Sequence, residues 1–298
     1  MPAGPGDDAQ HQDTGAPPRS WSSWASLLAT LIAPTTFISA LLLFFGFAYT
    51  DALYAHFGID AATLGFSTQD FLLRSSAALY LPAGVVLCVA LVGVLAAYLV
   101  SAASRTGPAA ARRVRRGCLA LMLLALPVFV LGVLAGCRVL DAGPMGTPLL
   151  LGGALLLFVY ARVLSVKSTG ARYPFAQERA AVAVLAALIA LCSFWAVGAY
   201  AHHKGRADAR MLAGNLTLRP AVVVDTTERL YLQWPGVDER ALPGADTGQR
   251  FRYRYRGLRL LAQSANRMFL IPDTWTWNDG NVLILPMDAN SRVAFHPG

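Results

Sequence analysis

Long apolar stretches alternate with short polar ones over the first two thirds of the chain, and the pattern then breaks into short segments. A helix that crosses the hydrocarbon core of a bilayer needs about 20 mostly apolar residues. Five stretches meet or approach that length: 25–49, 77–100, 117–137, 145–164 and 180–201. Arg162 interrupts the fourth near one end, where a long side chain can reach the interface. Pro34, Pro82 and Pro127 fall in or near these stretches, and membrane helices tolerate proline with a local kink. Residues 1–20 are rich in Pro, Gly, Asp and Gln and read as disordered. They lack the basic start of a signal peptide, and the apolar stretch that follows is too long for one, so it reads as an uncleaved first span.

After Lys204 the period changes. Strand patterns fall at Pro220–Val224, Arg229–Leu232, Arg250–Gln263, Arg267–Ile271, Val282–Leu285 and Arg292–Phe295. Turn residues separate them at Trp234-Pro235-Gly236, Ser264-Ala265-Asn266, Asp279-Gly280 and Met287–Asn290. No helix pattern is evident in this region. Several short strands at such spacing predict a small all-β unit, barrel or sandwich. The expected architecture is a membrane α-helical bundle of five transmembrane helices over 21–204. A small C-terminal all-β extracytoplasmic domain over 205–298 follows it. Within 250–256, Phe251, Tyr253 and Tyr255 alternate with Arg250, Arg252, Arg254 and Arg256. Period two places the aromatics on one face and the arginines on the other. The apolar phase flips after Gly257, which predicts a bulge or bend there.

Composition agrees with the pattern. Hydrophobic residues make up 55% and charged residues 14%, and mean hydropathy is +0.47. Soluble domains carry about 25% charged residues, so a disordered chain and a disulfide-rich secreted module are both excluded. Cys88, Cys118, Cys137 and Cys192 lie in or beside apolar runs and share no metal-ligand spacing.

The net charge is +8, and only Lys167 and Lys204 among the 25 basic residues are lysines. This arginine bias, with abundant Ala, Gly, Leu and Val, fits a high-GC bacterial genome. Arg105, Arg112, Arg113, Arg115 and Arg116 lie between the second and third stretches. Lys167, Arg172 and Arg179 lie between the fourth and fifth, whereas the alternate connections carry Arg74 alone and Arg138 alone. Basic connections stay in the cytoplasm. The expectation is therefore a bacterial plasma-membrane protein with its N-terminus inside and its β domain outside. Arg112, Arg113, Arg115 and Arg116 would set topology and contact anionic lipid. A nucleic-acid role is not expected, because the loop is too short to bring a reading helix or aromatic platform.

Signatures of chemistry are sparse. Phosphate-loop, dinucleotide, zincin and hydrolase-elbow motifs are missing, and no cofactor is implied. The spans carry no Asp, Glu or Lys near their centres, which argues against proton-coupled transport. Gly132 and Gly136 form a small-residue pair that permits close helix packing within the chain. The connection 50–76 carries Asp51, His56, Asp60 and Asp70, a possible polar cluster at the outer surface with His202 and His203. Carboxylates and imidazoles there can bind a metal or run acid–base chemistry, but the spacings match no metal motif. Ser67 and Asp70 have the spacing of a helix-start cap.

The stretches FGIDAATLGFSTQDFLLRS (57–75), YRYRGLRLLAQSANRMFLIPDTW (253–275) and VLILPMDANSRVAF (282–295) resemble uncharacterised multipass membrane proteins of actinobacteria. That resemblance implies the same architecture and carries over no substrate, cofactor or site residue. The expected role is non-enzymatic: a binding, sensing or accessory protein. It would present the β domain to an envelope or membrane partner, with Arg250, Arg252, Arg254 and Arg256 as an anion- or partner-binding face. The alternatives are a channel or facilitator for a small solute and an enzyme acting at the outer leaflet. Ligand and oligomeric state stay open.

Overall fold

The computed structural model describes residues 21–104, 107–169, 175–244, 248–278 and 280–296. The disordered-segment expectation for 1–20, together with Arg105, Arg172 and Asp279, lies outside them, as do the side chains of Lys167 and Arg179. The chain divides into compact units Met1–Leu41 and Leu42–Gly298. Helix α1 (Trp21–Tyr54) is followed by a 3-10 turn, Ala55–Phe57, and the short α2 (Ala61–Leu64). Then come α3 (Thr68–Ser104), α4 (Pro108–Gly136), α5 (Gly143–Thr169) and α6 (Phe175–Gly214). A second 3-10 turn, Leu216–Leu218, leads into six strands among the described residues.

Among the described residues, five segments are long and apolar enough to cross a membrane. These are Ile38–Phe57, Thr68–Ala103, Arg112–Gly136, Gly143–Val166 and Ala180–Gly214. On α3, Tyr80 and Leu87 are 82% and 70% exposed. Apolar surface of this extent fits lipid and not water.

The helices are longer than the apolar stretches, for physical reasons. Ser67 and Asp70 form the expected cap: the Ser67 N–H donates to the Asp70 carboxylate at 2.9 Å and the Asp70 N–H to the Ser67 hydroxyl at 3.2 Å. The cap starts α3 at Thr68. The turns before residue 77 are too polar for hydrocarbon but not for a helix. Likewise α6 runs on through the polar sequence 202–210 to Gly214, where no helix was expected. Ala201, Gly205 and Ala209 recur every fourth residue on its buried side. The four arginines 112, 113, 115 and 116 are not in a loop. They lie in the first turns of α4, which opens on Pro108.

Small residues set the helix crossings. A Cβ on Gly132 would lie 2.8 Å from the Leu151 side chain, and one on Gly136 would lie 3.6 Å from Thr147, so the glycine pair of α4 faces α5. Gly152 of α5 meets Cys192 of α6 at 3.0 Å by the same measure. Tyr160 of α5 donates its hydroxyl to the Gly93 carbonyl of α3 at 2.8 Å. At Gly205 a Cβ would lie 2.5 Å from the Tyr49 carbonyl oxygen of α1.

The strands are β1 (Ala221–Thr226), β2 (Asp238–Ala241), β3 (Tyr253–Gln263), β4 (Arg267–Pro272), β5 (Leu283–Pro286) and β6 (Ser291–His296). They form one antiparallel sheet in the order β5-β4-β3-β1-β6, with β2 beside β3. Residues 229–232 are not a strand. Their apolar side chains serve a loop instead: Leu232 is buried, and the Leu230 N–H donates to the Tyr255 hydroxyl at 2.7 Å. Polar β2 has no apolar alternation to betray it. Val222, Val224, Tyr255, Leu258, Met268, Leu270 and Leu285 form the core on one face.

The phase flip after Gly257 is a bulge. Val222 opposes Leu258 while Val224 opposes Tyr255, so β3 spends one more residue than β1 between the two pairs. The extra residue keeps Tyr255 and Leu258 on the core face. Gly257 takes φ 81°, and a Cβ there would collide with the Gly236 carbonyl. Its own carbonyl accepts the Asp273 N–H at 2.9 Å. Gly257→Ala is therefore expected to destabilise the sheet by about 2–4 kcal/mol, through a left-handed backbone and a steric clash together. A thermal unfolding series on the full chain checks it, and an unchanged midpoint would contradict this account of the bulge.

Candidate functional site

The loop between α1 and α3 meets the sheet. The Phe57 ring lies 4.8 Å from Trp275, and His56 lies 4.5 Å from Trp277 and 6.0 Å from Trp275. A Cβ on Gly65 would approach the Ser264 hydroxyl, in the β3–β4 turn, to 3.9 Å. Arg259 on β3 donates to the Arg219 carbonyl at 2.8 Å and pairs with Asp273 at 2.5 Å, fastening the start of β1. These contacts spread along β3: Ser264 follows its last residue, whereas Asp273 lies beside the bulge, where its N–H meets the carbonyl of Gly257, three residues after Arg254.

Before the bulge a row of side chains crosses four strands. Arg240 of β2 opposes Arg254 of β3, Arg254 opposes Asp225 of β1, and Asp225 opposes Arg292 of β6. Residues opposite one another in register share a face. Asp225 is 4% exposed. Arg254 grips it with a fork, Nε to Oδ1 at 2.8 Å and Nη2 to Oδ2 at 3.0 Å. Arg292 adds Nη2 to Oδ2 at 2.6 Å and packs its guanidinium 5.1 Å from the Phe251 ring centroid. The Arg254 hydrogen bond is the main cause that holds the Asp225 carboxyl below the usual carboxylate range. Burial opposes it and Arg292 reinforces it.

The expected face is thus partly engaged. Arg254 belongs to the Asp225 clamp. Arg250 and Arg252 precede the strand and are exposed, and Arg250 reaches Asn290 only at 3.5 Å. Arg256 is exposed beside the bulge, in register with Asp238. Arg240 pairs with Asp238 at 2.9 Å. The face carries more arginines than carboxylates. Asp225, Arg240 and Arg292 were not singled out in the sequence. Asp225 ends a run of valines that reads as plain core, and its partners become visible only once the register is known.

The outer-loop residues do not converge. Asp51 accepts the Ala61 N–H at 3.3 Å. Asp60 occupies the N-cap position of α2, where its backbone carbonyl accepts the Thr63 N–H at 3.0 Å. Asp70 caps α3, and His56 packs on tryptophan. His202 and His203 are exposed on α6. Among the described residues no group of three metal-ligating side chains comes together. Arg112, Arg113, Arg115 and Arg116 are all exposed. They lie among the fifth to ninth residues of α4. Near the Gly205 crossing, Asp208 accepts the Tyr49 hydroxyl at 2.8 Å and Lys204 at 2.5 Å.

Asp225→Asn is expected to destabilise the sheet by about 1–3 kcal/mol at neutral pH, less than the roughly 3–5 kcal/mol of a fully buried broken pair, because Arg292 is 59% exposed. The folded carboxyl titrates below its unfolded value of about 3.9. Its contribution is therefore present above that value and lost as pH falls through the folded one. Acid unfolding of wild type and Asp225→Asn should converge as pH falls below the folded value. Parallel curves would contradict the clamp. No family model, no curated protein sequence and no solved structure matches the chain at a significant level.

Proposed function

We propose that this chain is a bacterial plasma-membrane protein of non-enzymatic role. The sheet would stand outside the cell, and the N-terminus and the arginines of α4 would be cytoplasmic. In this reading the sheet binds or senses an anionic envelope component or an envelope protein, and the helices hold it at the membrane. The observation that carries the reading is the arginine-rich end of the sheet. It is built on the Arg254–Asp225–Arg292 clamp and precedes the bulge at Gly257. Asp225 orients two guanidiniums, and Arg252 and Arg256 stand beside them exposed. Guanidinium forks of this kind suit oxyanions. The carboxylates of Asp51 and Asp70 and the ring of His56 are engaged in a turn, a cap and ring packing, which favours binding over acid–base chemistry.

Cross-linking in living cells, with copurification of the full-length protein, tests the reading. A single stoichiometric envelope partner is expected, and Arg252→Ala with Arg256→Ala should lose most of it while the protein still folds. A discrete homo-oligomer without a partner would favour a channel instead, and flux through liposomes would then be the next measurement.

A further inference from the structure

A cavity of about 650 Å³ opens between the turn joining α4 to α5 and the flank of α6. Arg138, Leu140, Asp141, Pro144, Thr147 and Trp195 are among the residues that line it. Its size falls within the range of small-ligand sites. Arg138 has φ 59°. It sits where a Schellman motif closes α4: the Val139 N–H donates to the Leu134 carbonyl at 3.0 Å, and the Arg138 N–H to Ala135 at 3.1 Å. Glycine is the usual occupant of that left-handed position, and a side chain there is strained. A strained residue at the rim of a cavity points to a use for its side chain. Asp141 shares the rim and accepts the Gly143 N–H at 3.1 Å, so one cation and one anion face the same space.

The depth of this cavity in the bundle identifies its surroundings. Phe194 of α6 packs 4.8 Å from Phe44 of α1, five residues before Tyr49, where the apolar stretch of α1 ends, so Trp195 is level with the last turns of that stretch. From there α6 rises to Gly214, whereas α4 stops at Gly136. The α4–α5 turn is therefore recessed along α6, far below the level at which α6 hands over to the sheet. Trp195 is 49% exposed, and Val139 and Leu140 are exposed beside it. Half-exposed tryptophan among apolar side chains marks the headgroup level of a bilayer.

We propose that the cavity holds the headgroup of a phospholipid carrying a phosphate and a protonated amine. Arg138 takes the phosphate and Asp141 takes the amine. The guanidinium fork fits phosphate oxygens. A choline headgroup has no N–H for Asp141, and a glycerol headgroup brings no cation to it.

The test uses full-length protein in nanodiscs made from equal parts of ethanolamine, choline and glycerol phospholipids, followed by mild delipidation and native mass spectrometry. Wild type should retain the ethanolamine lipid over the choline lipid by about tenfold, the size of one charge-assisted hydrogen bond. Arg138→Gly suits the left-handed backbone, so its unfolding midpoint should hold or rise while lipid retention is lost. Asp141→Asn keeps an acceptor for the Gly143 N–H and should erase the ethanolamine preference without loss of fold. Equal retention of the three lipids by wild type, or undiminished retention by Arg138→Gly, would overturn the proposal. So would soluble phosphoethanolamine occupying the site with no lipid retained.

Discussion

The architecture depends on one close approach, the crossing of α6 over α1 at Gly205. A Cβ on this residue would lie 2.5 Å from the Tyr49 carbonyl oxygen and 3.0 Å from the Ala52 side chain. Only a backbone without a side chain lets the two helices meet so closely. The approach brings Tyr49 within hydrogen-bond reach of Asp208, whose other oxygen holds Lys204. Because α6 is fastened there, its last turns stay helical beyond the apolar belt. They deliver the chain to β1 at a fixed place.

From that place the sheet inherits its orientation. Arg259 ties β3 to the segment after α6 through the carbonyl of Arg219, and Trp275 and Trp277 stack on Phe57 and His56 beyond the end of α1. The sheet is therefore joined to the helices by chain continuity, polar contacts and aromatic packing. The Asp225 clamp lies across the Gly257 bulge from Arg259. A buried carboxylate between two guanidiniums is costly to desolvate and adds little net stability over an apolar replacement. It does fix the direction of both arginine side chains. That property matters at a binding surface more than in a core.

Much of this order was legible in the sequence, and the gaps have physical causes. Length and apolarity pointed to the five helices that, among the described residues, are long and apolar enough to cross a membrane, because hydrocarbon imposes a single strong requirement. The Ser67–Asp70 cap and the Gly257 bulge were legible because each follows from local chemistry. Helix ends were not, because the sequence marks where lipid stops and the helices of 68–76 and 202–214 continue past it. Polar β2 lacked a period, and the apolar residues 229–232 pack as a loop. Of the four arginines drawn onto one face, only Arg254 and Arg256 lie within β3, and the carboxylate that holds Arg254, Asp225, depends on register between strands far apart in sequence. The strained backbone of Arg138 likewise carries no local signature.

Hydrogen exchange along α6, measured on the full-length protein in nanodiscs, tests the central claim most directly. If the crossing at Gly205 fixes a continuous helix into the sheet, amides of 203–213 should be protected nearly as well as those of 185–200. Exchange of 203–213 at the rate of an unstructured linker would contradict the account, because the sheet would then hang from the helices instead of being held by them.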